Sequence, residues 1–131
     1  MPTTLTPALM FEGDAQAAID LYTRTFDDAE LLHVERFGED TPEHAGNIIQ
    51  AQVRLAGQVL IFTDSSVRHD FSFTPSLSLF VHCDSRQEVD RIFSALSEGG
   101  QVLMPLDTYP FSERFGWCND AFGVSWQIAL R

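Results

Sequence analysis

Between Ile49 and Leu55 apolar and polar residues take turns: Ile49, Ala51, Val53 and Leu55 are apolar, and Gln50, Gln52 and Arg54 stand between them. Side chains along a strand point alternately to opposite faces, so this pattern predicts a strand with one buried face. Ala56-Gly57 supplies a tight hairpin turn, and Val59 to Thr63 follows as a more continuously apolar strand. Helical spacing shows twice. Ala15, Ala18, Ile19, Tyr22 and Phe26 line one face after a break at Gly13-Asp14, where Asp14 is placed to cap the helix. Val89, Ile92, Phe93 and Leu96 line another, behind the capping box formed by Ser85 and Glu88, and Gly99-Gly100 stops it.

The remaining strands are read at Leu5 to Phe11, Ala29 to Phe37, Ser76 to Cys83, Gln101 to Met104, Arg114 to Asn119 and Val124 to Leu130. Pro7 confines the first of these to an edge or a strand start. Gly38 to Gly46, Ser65 to Pro75 and Pro105 to Glu113 are read as loops, and Asp120 to Gly123 as a turn. The halves repeat weakly: ALMFEGDAQAAIDLY from Ala8 and SLFVHCDSRQEVDRI from Ser78 share a strand, an acidic break and an amphipathic helix, with Asp14 aligned to Asp84. The order is β-α-β-β-β twice. This predicts an α+β fold: one domain, residues 1–131, of two modules at about 5–64 and 76–131, with curved mixed sheets carrying their helices on the outer face and enclosing a cleft with the other.

Composition narrows the function classes. The 131 residues carry a net charge of −11, which disfavours nucleic acid and anionic lipid as partners. No apolar run reaches the roughly 18 residues of a membrane span. Met1 to Phe11 lacks the basic and apolar regions of a secretory signal, so the expectation is a soluble cytoplasmic protein. Cys83 and Cys118 are far apart with no CxxC, and are read as reduced and buried.

The opening LMFEGDAQAAIDLYTRTF, the hairpin VRLAGQVLIFTD and the tail GGQVLMPLDTYPFSERFGWCNDAFGVSWQIAL resemble, in order and at matching spacing, PhnB-like proteins of the vicinal oxygen chelate (glyoxalase/bleomycin resistance/dioxygenase) superfamily. The resemblance implies paired βαβββ modules, a homodimer and a small-molecule cleft. Some such proteins carry a methyltransferase label; no Gly-rich loop opening a helix supports it here. Superfamily enzymes hold a divalent ion with His, Gln or Glu. The corresponding places here fall at about Pro7, near Ser78, at Gln127 and at Ile61 or Phe62, so no metal and no cofactor is expected.

Alternation on the last strand puts Ser125, Gln127 and Ala129 on one side, with Gln127 facing the cleft, and Trp126, Ile128 and Leu130 under the helices. The segment Tyr109 to Trp117 suits a planar or apolar ligand bearing an acidic group, with Arg114 as its anchor and Phe111 and Trp117 as walls; the same aromatics also suit core or dimer contacts. Ser78 and His82 complete the candidate ligand-binding set. His33, His44 and His69 form no H-x-H or H-x-x-x-H pair, and Ser65, Ser66 and His69 do not resemble a nucleophile elbow. The leading expectation is metal-free binding of a small, partly aromatic or apolar molecule. The alternatives are a metal-dependent isomerase, lyase or dioxygenase using Gln127, His82 or loop residues, and a structural dimer with a filled cleft.

Overall fold

The computed structural model describes residues 2–131, which form two compact units that divide after His69, at residues 2–69 and 70–131. The first contains β1 (Ala8–Phe11), α1 (Ala15–Thr25), β2 (Ala29–Arg36), β3 (Ile48–Leu55) and β4 (Gln58–Asp64). Its four strands lie in the order β1-β4-β3-β2, with β1 parallel to β4 and the other pairs antiparallel. The second contains β5 (Leu79–Cys83), α2 (Arg86–Ser97), β6 (Gln101–Tyr109), β7 (Ser112–Asn119) and β8 (Ser125–Leu130), in the order β5-β8-β7-β6 with β5 parallel to β8. Each unit is thus an α+β module: a mixed sheet whose apolar face is closed by one helix.

In the first unit α1 buries Ala15, Ala18, Ile19, Leu21 and Tyr22, and the sheet buries Leu9, Phe11, Ala51, Val53, Leu55, Leu60 and Phe62. Phe11 and Phe62 stack with centroids 5.9 Å apart, and Tyr22 tilts onto Phe62 at 5.8 Å. The period-2 pattern of β3 holds from Ala51 onward. At its start, however, a bulge sets Glu35 opposite Gln50 and Arg36 opposite Ile48. Ile48 is therefore 0% exposed, whereas Ile49, expected inside, is 42% exposed. The turn after β3 has positive φ at both Ala56 (50°) and Gly57 (86°), the geometry that a two-residue hairpin needs to match strand twist.

Three other expectations are corrected. The side chain of Asp14 makes no cap bond to α1. Asp64, at the end of β4, does that work: its Oδ1 accepts from the backbone N–H of Gly13 (2.9 Å) and Ala15 (3.0 Å), and its Oδ2 from that of Ile48 (2.9 Å). The helix is capped across the unit rather than locally. Secondly, residues 105–109 are not loop. Strand β6 runs through Pro105 to Tyr109 and returns as β7 from Ser112, with register shifts along the pair. A proline is tolerated there because β6 is an edge strand, where a missing N–H breaks no ladder. Thirdly, the N-caps are Asp14 and Ser85, and β1 and β5 end at Phe11 and Cys83, so the second unit's strand-to-helix link is one residue shorter and Asp14 does not correspond to Asp84.

The cap of α2 is close to the one read from sequence. Ser85 Oγ accepts from the Glu88 N–H at 3.1 Å, and Glu88 Oε1 accepts from the N–H of Asp84 (3.2 Å). Helix α2 buries Val89, Ile92, Phe93 and Leu96 on the sheet. Gly116 admits it: a Cβ there would lie 2.5 Å from Cε1 of Phe93. Among the described residues no helix is long and apolar enough to cross a membrane.

Candidate functional site

The face of the second sheet opposite α2 gathers most of the candidate residues. Strand pairing sets Phe80 and Trp117 on either side of Gln127, and His82 and Phe115 on either side of Ala129. Directly opposed residues share a face, so Phe80, His82, Gln127, Phe115 and Trp117 point the same way. On β6, Asp107 stands opposite Phe115 and Met104 opposite Trp117.

The rings touch one another. Phe115 lies 6.3 Å from Phe80, 5.6 Å edge-on from Tyr109 and 4.8 Å edge-on from Phe111, and Tyr109 and Phe111 stack at 5.6 Å. His82 tilts onto Phe80 at 4.9 Å. The Tyr109 hydroxyl donates to the Pro105 carbonyl at 2.7 Å, which fixes that ring. Phe115 is buried, yet Phe80 and Phe111 remain 48% and 64% exposed. Fold stability alone does not require large rings left in water at the edge of such a cluster.

Beside the rings the polar groups are paired with each other. Gln127 Nε2 donates to Ser78 Oγ at 2.7 Å, and Trp117 Nε1 donates to Ser125 Oγ at 2.8 Å. Asn119 Oδ1 is buried and accepts no hydrogen bond among the described residues. Gln127, Ser78, His82, Trp117 and Phe111 thus fall on or at the rim of one surface. Arg114 does not. Its Nε donates to Asp90 Oδ1 of α2 at 2.8 Å, on the helix side of the sheet. Sequence reasoning passed over Phe80, although it shares the parity of Ser78 and His82 on one strand, and it placed Tyr109 in a loop. Alternation along β5 was the missed signal.

These residues do not fit a divalent ion. Among the described residues no three His, Cys, Asp or Glu side chains converge as a ligand set. At two of the places where the resemblance implied a metal ligand, Ser78 and Gln127 are neutral and bonded to each other. Counted from the strand ends, Ala8 opposite Ile61 corresponds to Phe80 opposite Gln127, so the first unit offers alkyl groups where the second has Gln127. A cation without carboxylate or imidazole ligands is poorly held.

Two other arrangements are structural. Ser65 Oγ lies 2.9 Å from His69 Nε2, but the hydroxyl also donates to the Val67 carbonyl at 2.9 Å. The hydroxyl has one proton, so the Val67 carbonyl competes with the imidazole for it. The thiols of Cys83 and Cys118 are pushed up to about 12 by burial, with Glu88 adding to the first and Asp120 to the second. Neither should react with a disulfide reagent at pH 8 until denaturant is added, when both should; rapid labelling of native protein would contradict their burial. A thiol raised above its ordinary value of 9.0 favours the fold below that pH, so stability should fall as pH climbs from about 9 toward 12.

Comparison with known proteins bears on all of this. Residues 3–129 match the family model described as 3-demethylubiquinone-9 3-methyltransferase. The chain is 30% identical over 138 residues to Protein YjdN of Escherichia coli, covering 95% of this chain and 92% of that protein. It superposes on the PhnB protein of Bacillus cereus with a TM-score of 0.94 and 45% identity, over 98% of this chain and 100% of that one. A glyoxylase/bleomycin resistance protein/dioxygenase domain from Frankia shares the fold, with a TM-score of 0.68 and 15% identity over 99% of this chain and 93% of that one.

Proposed function

The chain belongs to the PhnB-like family, whose model is described as 3-demethylubiquinone-9 3-methyltransferase, within the vicinal oxygen chelate superfamily, and from that premise we propose that it binds a small, partly aromatic or apolar molecule without a metal ion. The carrying observation is the ring-bearing face of the second unit, where Phe80 and Phe111 stay exposed beside buried Phe115 and the hydrogen-bonded pair Gln127–Ser78. Rings held edge to face offer a flat ligand a preformed wall, so little ordering entropy is lost on binding. Methyl transfer finds less support: the strand-to-helix links, Glu12-Gly13-Asp14 and Asp84-Ser85, hold one glycine between them and make no nucleotide cradle.

The test is a titration with bicyclic aromatic compounds, followed by tryptophan fluorescence, before and after dialysis against a chelator. Binding should survive the dialysis. Phe80→Ala, at a half-exposed ring, should weaken it about three- to ten-fold while the thermal midpoint holds. Tight stoichiometric uptake of Mn, Ni, Zn or Fe by untagged protein, lost in Gln127→Ala, would instead favour a metal-dependent lyase, isomerase or dioxygenase.

The working form is a cytoplasmic homodimer, with about 5–64 and 76–131 as the two modules of one domain. Its support is the apolar surface left at edge strands: Leu31 and Leu32 on β2 and Val102 on β6 are all exposed. Sedimentation at micromolar concentration should give twice the chain mass; a monomer would overturn the dimer.

A further inference from the structure

The face opposite α2 was expected to take a ligand with an acidic group, because Arg114 stood in the sequence beside the aromatics. The geometry points the other way. We propose that the molecule bound there is an organic cation, an aromatic or alkyl body carrying an ammonium or ring-nitrogen charge. This rests on the binding role proposed above and adds the ligand's charge class to it.

Four observations converge. Arg114 is turned through the sheet to Asp90. The unit's other arginines do not offer a free positive charge to the rings: Arg86 and Arg91 ride on α2, and Arg131 at the chain end is held by Asp84 at 2.9 Å. A charged side chain that register places beside the cluster is a carboxylate, Asp107, opposite Phe115, exposed and with its Oδ1 held by the Thr108 N–H at 2.7 Å. The strongest N–H donors on the face are partly spent: Trp117 Nε1 is used on Ser125, and one of the two N–H groups of Gln127 Nε2 on Ser78.

What remains is ring surface with negative π-faces, the His82 imidazole, and two carboxylates, Asp107 and Glu113 (two residues before Phe115 on β7 and so on its face), in a chain with 19 acidic residues against 8 basic ones. An anion at such a surface would lose hydration, meet only the His82 imidazole and the second Gln127 N–H as donors, and be repelled by Asp107. A neutral ligand would gain stacking alone. A cation gains the ring quadrupoles and the carboxylates together. The acidity of the whole chain adds long-range attraction, which falls with ionic strength.

Three ligands of nearly one shape separate the possibilities: N-methylquinolinium, 1-methylnaphthalene and 1-naphthoate, each titrated by calorimetry and by proton NMR line broadening. The expected order is cation tightest by about ten-fold over the neutral isostere, with the anion weakest. Asp107→Asn should shrink the ten-fold ratio to about three-fold, and added salt should narrow it further. If the neutral compound binds as well as the cation, or the anion binds best, the charge inference fails while the binding face stands. If none of the three binds, the binding role itself fails, and this inference with it.

Discussion

Gly100→Ala should cost about 3 kcal/mol or more and leave the second unit unfolded in much of the population. The residue follows the C-cap of α2 and sits against the start of β6, with its N–H bonded to the Ser97 carbonyl at 3.0 Å. A Cβ there would lie 2.0 Å from the carbonyl oxygen of Asn119, and 2.7 Å and 2.9 Å from the carbonyl carbon and Cα of Asp120. All three are backbone atoms, so no rotamer change relieves the clash. Nor can that backbone retreat easily. Asp120 is buried, its Oδ1 accepting from the Phe122 and Val124 N–H groups and its Oδ2 from Trp126 Nε1 at 2.9 Å. Moving it breaks the turn between β7 and β8. Urea denaturation followed by tryptophan fluorescence measures the loss. Gly57→Ala is the comparison: its Cβ would meet nothing within 4 Å, so only the positive φ of 86° counts, at about 1 kcal/mol. Equal losses in the two variants would mean that the approach of β6 to Asp120 is not sterically fixed.

Asp64→Ala should be the most damaging change in the first unit, at about 3–5 kcal/mol and more than about 10 °C in the thermal midpoint. The carboxylate is buried and accepts three backbone N–H bonds, from Gly13, Ala15 and Ile48. Alanine would strand those donors at the start of α1 and of β3, where the helix dipole also favours a negative group. Asp64→Asn keeps one carbonyl oxygen but presents an NH2 to one side, so it should fall between, near 2 kcal/mol. Asp14→Ala should cost far less, because that side chain makes no cap bond. A larger loss at position 14 than at position 64 would refute the long-range cap.

Much of the fold was legible along the chain. The alternation over Ala51, Val53 and Leu55, the spacing of Ala15, Ala18, Ile19 and Tyr22, and the box of Ser85 and Glu88 are local signals, and the elements stand where those signals put them. Errors arose where a non-local term won. Pro105 reads as a breaker, yet an edge position removes its penalty. Ile49 reads as buried, yet a bulge at the β2–β3 pair hands that place to Ile48. The candidate residues Gln127, Ser78, His82, Trp117 and Phe111 were nameable by type, since their parities follow from single strands or a turn. Their assembly was not, because it depends on which strands pair and in what register.

The sequence by itself determined the two β-α-β-β-β runs, the faces of the helices and of the best-patterned strands, and the resemblance to PhnB-like proteins. These are set by periodicity and spacing, which act over a few residues. Tertiary structure alone decided that Asp64 caps a helix 49 residues before it in the chain, that Arg114 turns to Asp90, and that Phe80, Phe115, Tyr109 and Phe111 share a surface with Asp107. The physical reason is the same in each case: hydrogen bonds and ring contacts select partners by position in space, and strand register rather than sequence distance sets that position.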